Sequence, residues 1–134
     1  MPDMQFPDLD PSASRVLITN ALRDWHDARQ TGAPVMPYLF ASLHGPACAL
    51  LAPVLDSLFR FYQAALNRTP VTGQTECLSD DEALLLALIS RAEFKHETFD
   101  CPIGIARGFD CALCSARIML AFALEDQSCG RRLQ

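Results

Sequence analysis

The sequence predicts an all-α fold, an irregular bundle of about four main helices with one or two short helical turns. Three observations carry this expectation. Apolar residues recur at three- and four-residue steps in several segments, the period of one helix face. Ser79-Asp80-Asp81-Glu82 has the form of a capping box, the reciprocal side-chain and backbone bonds that start a helix. No segment alternates apolar and polar residues in the manner of a half-buried strand.

Residues 1–11 carry Pro2, Pro7 and Pro11 among acidic residues. Proline donates no backbone hydrogen bond and restrains its predecessor, so this segment reads as an extended N-terminal arm, with Phe6 its one residue suited to dock on the body. Residues 12–126 read as a single helical domain. Ser12 or Ser14 caps a first helix running to about Gln30, with Ile18, Ala21, Leu22, Trp25 and Ala28 on one apolar stripe. Thr31-Gly32 ends it, since glycine commonly follows a helix. Tyr38 to Leu43 can form a short turn. Pro46 suits the first position of a second helix, on which Cys48, Leu51, Leu55, Leu58, Phe59, Tyr62 and Leu66 share a face. Pro53 should kink it.

The loop Thr69-Pro70-Val71-Thr72-Gly73 precedes the capping box at Ser79. The run Ala83 to Ile89 is apolar on nearly every side, which predicts a central third helix that frays into Arg91, Glu93, Lys95, His96 and Glu97. Cys101-Pro102 can open a short turn before Gly104 and Gly108. The last helix is expected to begin near Asp110, a good N-cap type, and to reach about Asp126. Residues 127–134 read as a flexible C-terminal tail. Short connections favour antiparallel packing of consecutive helices.

The chain has 134 residues, enough for one domain with its own core. Half are apolar and the formal charge is −5. No Lys/Arg stripe stands out, which argues against nucleic acid or an anionic membrane as partner. The acidic, proline-bearing start lacks the apolar segment of a signal peptide, and no apolar run approaches the ~18 residues of a membrane span. A soluble, cytoplasmic protein is expected, with its six cysteines as reduced thiols. The high apolar content points to a homo-oligomer or a protein partner that covers part of the surface.

One cluster suggests chemistry: Cys101, Cys111 and Cys114, with His96 upstream. With Asp110 as the N-cap, Cys111 would stand at the helix start, where a thiolate is favoured, and Cys114 one turn on could resolve it when oxidised. Cys-x-x-Cys on a helix resembles the motif of all-helical alkyl hydroperoxidase D-type redox proteins. That motif has His four residues after the second Cys; this chain has Ile118, so the relay and its activity do not carry over. His96, Cys101, Cys111 and Cys114 together form a ligand set that tetrahedral zinc accepts, though with one short-spaced pair instead of two. Against both stands packing, because free Cys is among the most buried residue types. Cys111 falls on the stripe of Ile118 and Phe122 and is therefore expected in the core, with Cys114 nearer the polar edge beside Arg117.

Other combinations are weaker. Asp24 and His26 are two positions apart and face different ways on a helix. His44 precedes Gly45-Pro46 and suits a local bond to helix-end carbonyls. The apolar runs Leu84–Ile89 and Ile118–Leu124 are expected to pack on each other rather than to line a ligand pocket. No nucleophile–base arrangement and no cofactor motif is present, zinc being the one group the residues would suit. The chain reads as a non-enzymatic helical protein acting through protein–protein contacts, the alternative being a thiol-redox or zinc-binding protein.

Overall fold

The computed structural model describes residues 11–43, 49–90 and 99–132, with side chains for 13–41, 43, 49–90 and 99–124. These residues form an all-α fold of five helices: α1 Pro11–Thr31, α2 Val35–Ser42, α3 Leu51–Leu66, α4 Asp80–Ile89 and α5 Ile103–Arg132. No strand occurs among them. Gln74 and Cys77 form a single antiparallel bridge in the loop before α4.

The stripe expected on α1 is the stripe it buries: Ile18, Ala21, Leu22, Trp25 and Ala28 are all inside. Gly32 follows with a φ of +75°, the left-handed conformation that glycine adopts without penalty. The Ala33 amide then donates to the Ala28 carbonyl at 2.8 Å, the closing bond of a Schellman motif. Pro37 of α2 and Pro53 of α3 each sit third in their helix. First-turn N–H groups have no partner inside a helix, so neither proline removes a bond. The kink expected at Pro53 is thus replaced by a helix that starts just before it. Asn67 ends α3 in the left-handed region at φ 59°.

The broadest helix contact is between α3 and α5, which are far apart in sequence, not between consecutive α3 and α4. Leu51, Ala52, Leu55, Leu58, Phe59, Tyr62 and Ala65 of α3 face Phe109, Ala112, Leu113, Ala116, Leu120 and Ala123 of α5 in one core. Fully burying a large apolar side chain contributes roughly 1.5–3 kcal/mol, so this interface dominates the fold. Tyr62 stacks on Phe109 at 5.6 Å between centroids, and Phe99 meets Phe109 edge-on at 5.6 Å. The small residues of α5 admit α3 closely. A Cβ at Gly108 would strike the Phe61 ring.

Three expectations change here. α4 is not central: it buries Leu85, Leu88 and Ile89 but exposes Ala83 and Ala87, and it leans on α5 and α1. Its apolar excess on the outer side is mostly alanine, which tolerates water. α5 starts at Ile103, immediately after Pro102, and not near Asp110. It also continues through Arg132, across residues 127–132 that the sequence assigned to a tail. Two helical glycines cost about 1 kcal/mol each against alanine, and packing on α3 outweighs that local cost. The arm's residues 1–10, and His44, Cys48, Glu93 and Glu97, lie outside the described residues.

Candidate functional site

The thiols come first because the sequence singled them out. Cys77, Cys111 and Cys114 are free thiols. Cys101 is half-buried against the core just before α5. Cys111 and Cys114 lie one turn apart on α5, as expected. The helix start, however, is two turns upstream, so the unbonded first-turn N–H groups lie near residues 103–105, away from Cys111. The burial order is also reversed. Cys111 is exposed, and Cys114 is half-buried with its Sγ 3.8 Å from an Arg117 Nη. Periodicity placed Cys111 correctly beside Ile118 and Phe122. What it could not choose was which apolar side of α5 faces α3, and the alanine-rich side does.

His96 lies outside the described residues. Among the described residues, no three His, Cys, Asp or Glu side chains converge as metal ligands. His26 is half-buried on α1, its Nδ1 enclosed and without a hydrogen-bond partner.

A second constellation was invisible in the sequence beyond its first element. The capping box forms: the Glu82 amide donates to Ser79 Oγ at 3.0 Å, and the Ser79 amide donates to Glu82 Oε1 at 2.9 Å. Around it, Arg23 of α1 binds both Glu82 oxygens, at 2.8 and 3.1 Å, and donates to the Thr75 and Cys77 carbonyls. Arg68 grips Asp81 through both oxygens at 2.6 and 2.8 Å, and the Val71 amide adds a third bond. Tyr62 donates to the Asp81 carbonyl at 2.6 Å. Hydrogen bonds from Arg68 hold the Asp81 carboxyl below its usual range against the opposing effect of burial. Burial opposes ionisation of Glu82, yet bonds from Arg23 and from the Ser79 and Gly73 amides together outweigh it and lower its pKa. Both acids are therefore firmly ionised and fully engaged. Their work is to fix the loop of residues 69–79 to the bundle.

An open cleft of about 500 Å³ is lined by Arg29, Arg60 and Arg68 with Gln63 and Asn67. Each guanidinium serves the fold: Arg60 pairs with Asp56 at 3.1 Å, Arg68 with Asp81, and Arg29 lies 4.7 Å above the Trp25 ring. Asp56 in turn accepts from Trp25 Nε1 at 2.8 Å.

The third region is the outward face of α5. Phe122 is 62% exposed and Ile118 39% exposed, and Cys111 and Ser115 are exposed on the same stripe. The opposite side of the helix is occupied by the core, and Arg117 reaches from the flank to cap the end of α4, donating to the Leu88 and Ile89 carbonyls at 2.6 and 3.2 Å. Among the described residues, the other exposed apolar side chains do not share a stripe in this way. Tyr38 and Phe40 stand two apart on α2 and so diverge. No helix among the described residues is long and apolar enough to cross a membrane. Comparison of the chain with protein-family models, curated proteins and solved structures finds no match, so these three regions carry the functional argument alone.

Proposed function

We propose that this protein acts by contact and not by catalysis, as a self-associating helical module whose interface is the outward face of α5. One observation carries the reading: a stripe of Cys111, Ser115, Ile118 and Phe122 without a charged residue, left in water by a helix whose other side is fully used. Exposed large apolar side chains that share a face mark interaction sites more often than isolated ones do. A second copy of the chain is the occupant that an uncharged face suits best, since each copy carries −5 overall and a charged face would repel its own image.

Sedimentation of the pure protein at about 100 μM is the test, at a concentration where even a weak interface populates a dimer. The expected result is a species above the 14.8 kDa monomer, reduced to 14.8 kDa by Phe122→Glu with helicity unchanged. A parent that stays monomeric throughout would overturn the reading.

The thiol alternative retains one supporting observation, an exposed Cys111 one helical turn from a Cys114 that touches Arg117. Elemental analysis beside a count of free thiols tests it: one equivalent of zinc with masked thiols would favour it over the contact reading.

A further inference from the structure

We propose that the arginine-lined cleft where α1 and α3 end binds the phosphate group of a small soluble anion, a function separate from self-association through α5. Arg60, Gln63 and Asn67 follow one another at steps of three and four, so they share one face at the end of α3. Arg29, in the last turn of α1, stands across from them, and Arg68 opens the loop that follows. The space between is about 500 Å³, the size of a small-molecule site.

The fold uses only part of what these arginines offer. A guanidinium carries five N–H donors. Arg60 bonds Asp56 through Nε, and Arg68 bonds Asp81 through its two Nη groups. Among the described residues, the Nη groups of Arg60 and the Nε of Arg68 have no hydrogen-bond partner, and Arg29 has neither a hydrogen bond nor a carboxylate. Two carboxylates thus balance two of three cations, and Arg29 is in surplus. Partial negative charge at helix ends falls off within a turn, and the Ala28 and Ala64 carbonyls there already accept from the Ala33 and Asn67 amides. The Gln63 Oε1 is enclosed without a partner, and a half-turn of its carboxamide puts an NH2 donor in the same place. A hollow beside the cleft shares Arg29 and Thr69 with it and holds His26, whose enclosed Nδ1 also lacks a partner. The remainder of a phosphate ester has room there.

The donors are placed in advance. Trp25 ties two of them together: Arg29 lies 4.7 Å above its ring, and its Nε1 donates at 2.8 Å to the Asp56 that holds Arg60. Asp81 fixes Arg68. Guanidiniums already held in position lose little freedom when an anion arrives, and their planar forks match pairs of phosphate oxygens. Cations on three sides suit a tetrahedral anion with oxygens all round better than a planar carboxylate, which presents two. The overall charge of −5 repels extended polyanions, which favours a small molecule over a membrane or a nucleic acid.

Trp25 is the single tryptophan of the chain, so its emission reports on the cleft. The test is titration of the full chain with inorganic pyrophosphate at constant ionic strength, followed by Trp25 emission and by calorimetry. Saturation at a single site per chain is expected. Arg29→Gln should weaken binding about tenfold or more, and Arg29→Lys, which keeps the charge and loses the fork, should fall between it and the parent. Arg60→Gln should weaken binding independently. Arg15→Gln, an exposed arginine at the other end of α1, should leave binding unchanged, with the helicity of every variant equal to the parent's. Absence of saturation up to about 10 mM would overturn the site. So would equal weakening by Arg15→Gln, which would mark a diffuse effect of charge. Citrate binding as tightly as pyrophosphate would overturn the choice of phosphate, and binding to phosphatidylserine vesicles without binding to pyrophosphate would overturn the choice of a small molecule. A parent that sediments as a monomer yet saturates with pyrophosphate would keep this site and overturn the contact reading.

Discussion

The first turn of α4 and the outward face of α5 are opposite solutions to the problem of a helix surface. At the first turn of α4, Asp81 and Glu82 are almost wholly buried and every carboxylate oxygen has a donor. On α5, Ile118 and Phe122 stand in water and nothing in the chain's described residues covers them. A protein spends residues as costly to bury as carboxylates only where geometry must be fixed, and here that is the docking of the 69–79 loop. It leaves apolar surface uncovered where something else arrives. Substitutions in the first region should therefore cost stability and leave association alone, and substitutions in the second should do the reverse.

The largest effect on stability is expected from Arg23→Ala. Glu82 has a side chain only 1% exposed, and Arg23 supplies two of its bonds while holding the Thr75 and Cys77 carbonyls. Removing one partner of a buried pair leaves an uncompensated charge, a loss of about 3–5 kcal/mol. Urea denaturation that shows less than about 1 kcal/mol would mean that the network is ornamental to the fold. The companion replacement of both partners by apolar residues should recover much of the loss.

The same network sets the acid response. Asp81 and Glu82 have folded pKa values below their ordinary 3.8 and 4.5. Their contribution is thus fully present above those ordinary values and is lost as pH falls through the depressed folded ones. Stability measured between pH 7 and 2 should be flat through pH 5 and fall below about 4. In Arg23→Ala the Glu82 part of that fall should shrink, because without the Arg23 bonds its folded pKa returns toward or above the ordinary value. A parent that loses stability already between pH 7 and 5 would place its titrating groups elsewhere.

Ser79→Ala should cost less, about 1–2 kcal/mol, because the hydroxyl both accepts from the Glu82 amide and donates to the Val71 carbonyl at 2.6 Å. Thermal denaturation would show it as a clear drop in midpoint, and an unchanged midpoint would mean that α4 is not held by its cap.

These regions also differ in how far the sequence discloses them. The capping box was legible because all its partners lie within four residues, and so was the α1 stripe, whose five apolar positions obey one period. Arg23 and Glu82 are 59 residues apart, and nothing local announces their meeting. The same holds for Arg117 and the end of α4, separated by 28 and 29 residues. The start of α5 was misplaced for a different reason. Gly104, Gly108 and Asp110 carry the local signals of a break followed by a cap. They are overridden because Phe61 of α3 needs the bare backbone of Gly108, a fact that belongs to packing and not to the segment. The thiol site differs from expectation for two reasons: a helix that starts at Ile103 gives Cys111 no terminal position, and the alanine-rich side of α5 packs on α3, which leaves the Cys111 stripe outward.

The smallest effect on stability is expected from Cys111→Ala, and it separates the two regions most cleanly. As a core residue Cys111 would lose about 1–2 kcal/mol on truncation. Exposed on α5, it has no cavity to leave, and alanine is the better helix former, so the change should stay within about 0.5 kcal/mol of the parent. Labelling by a small thiol reagent at low protein concentration should modify Cys111 and Cys77, both exposed, ahead of Cys101 and Cys114, both half-buried. Raising the concentration should slow Cys111 while leaving Cys77 unchanged, because Cys77 lies in the 74–77 loop of the first region and Cys111 in the stripe of the second. If the two slow together, the protein associates through some other surface. If neither slows while sedimentation shows a dimer, the α5 face is not the one that is covered.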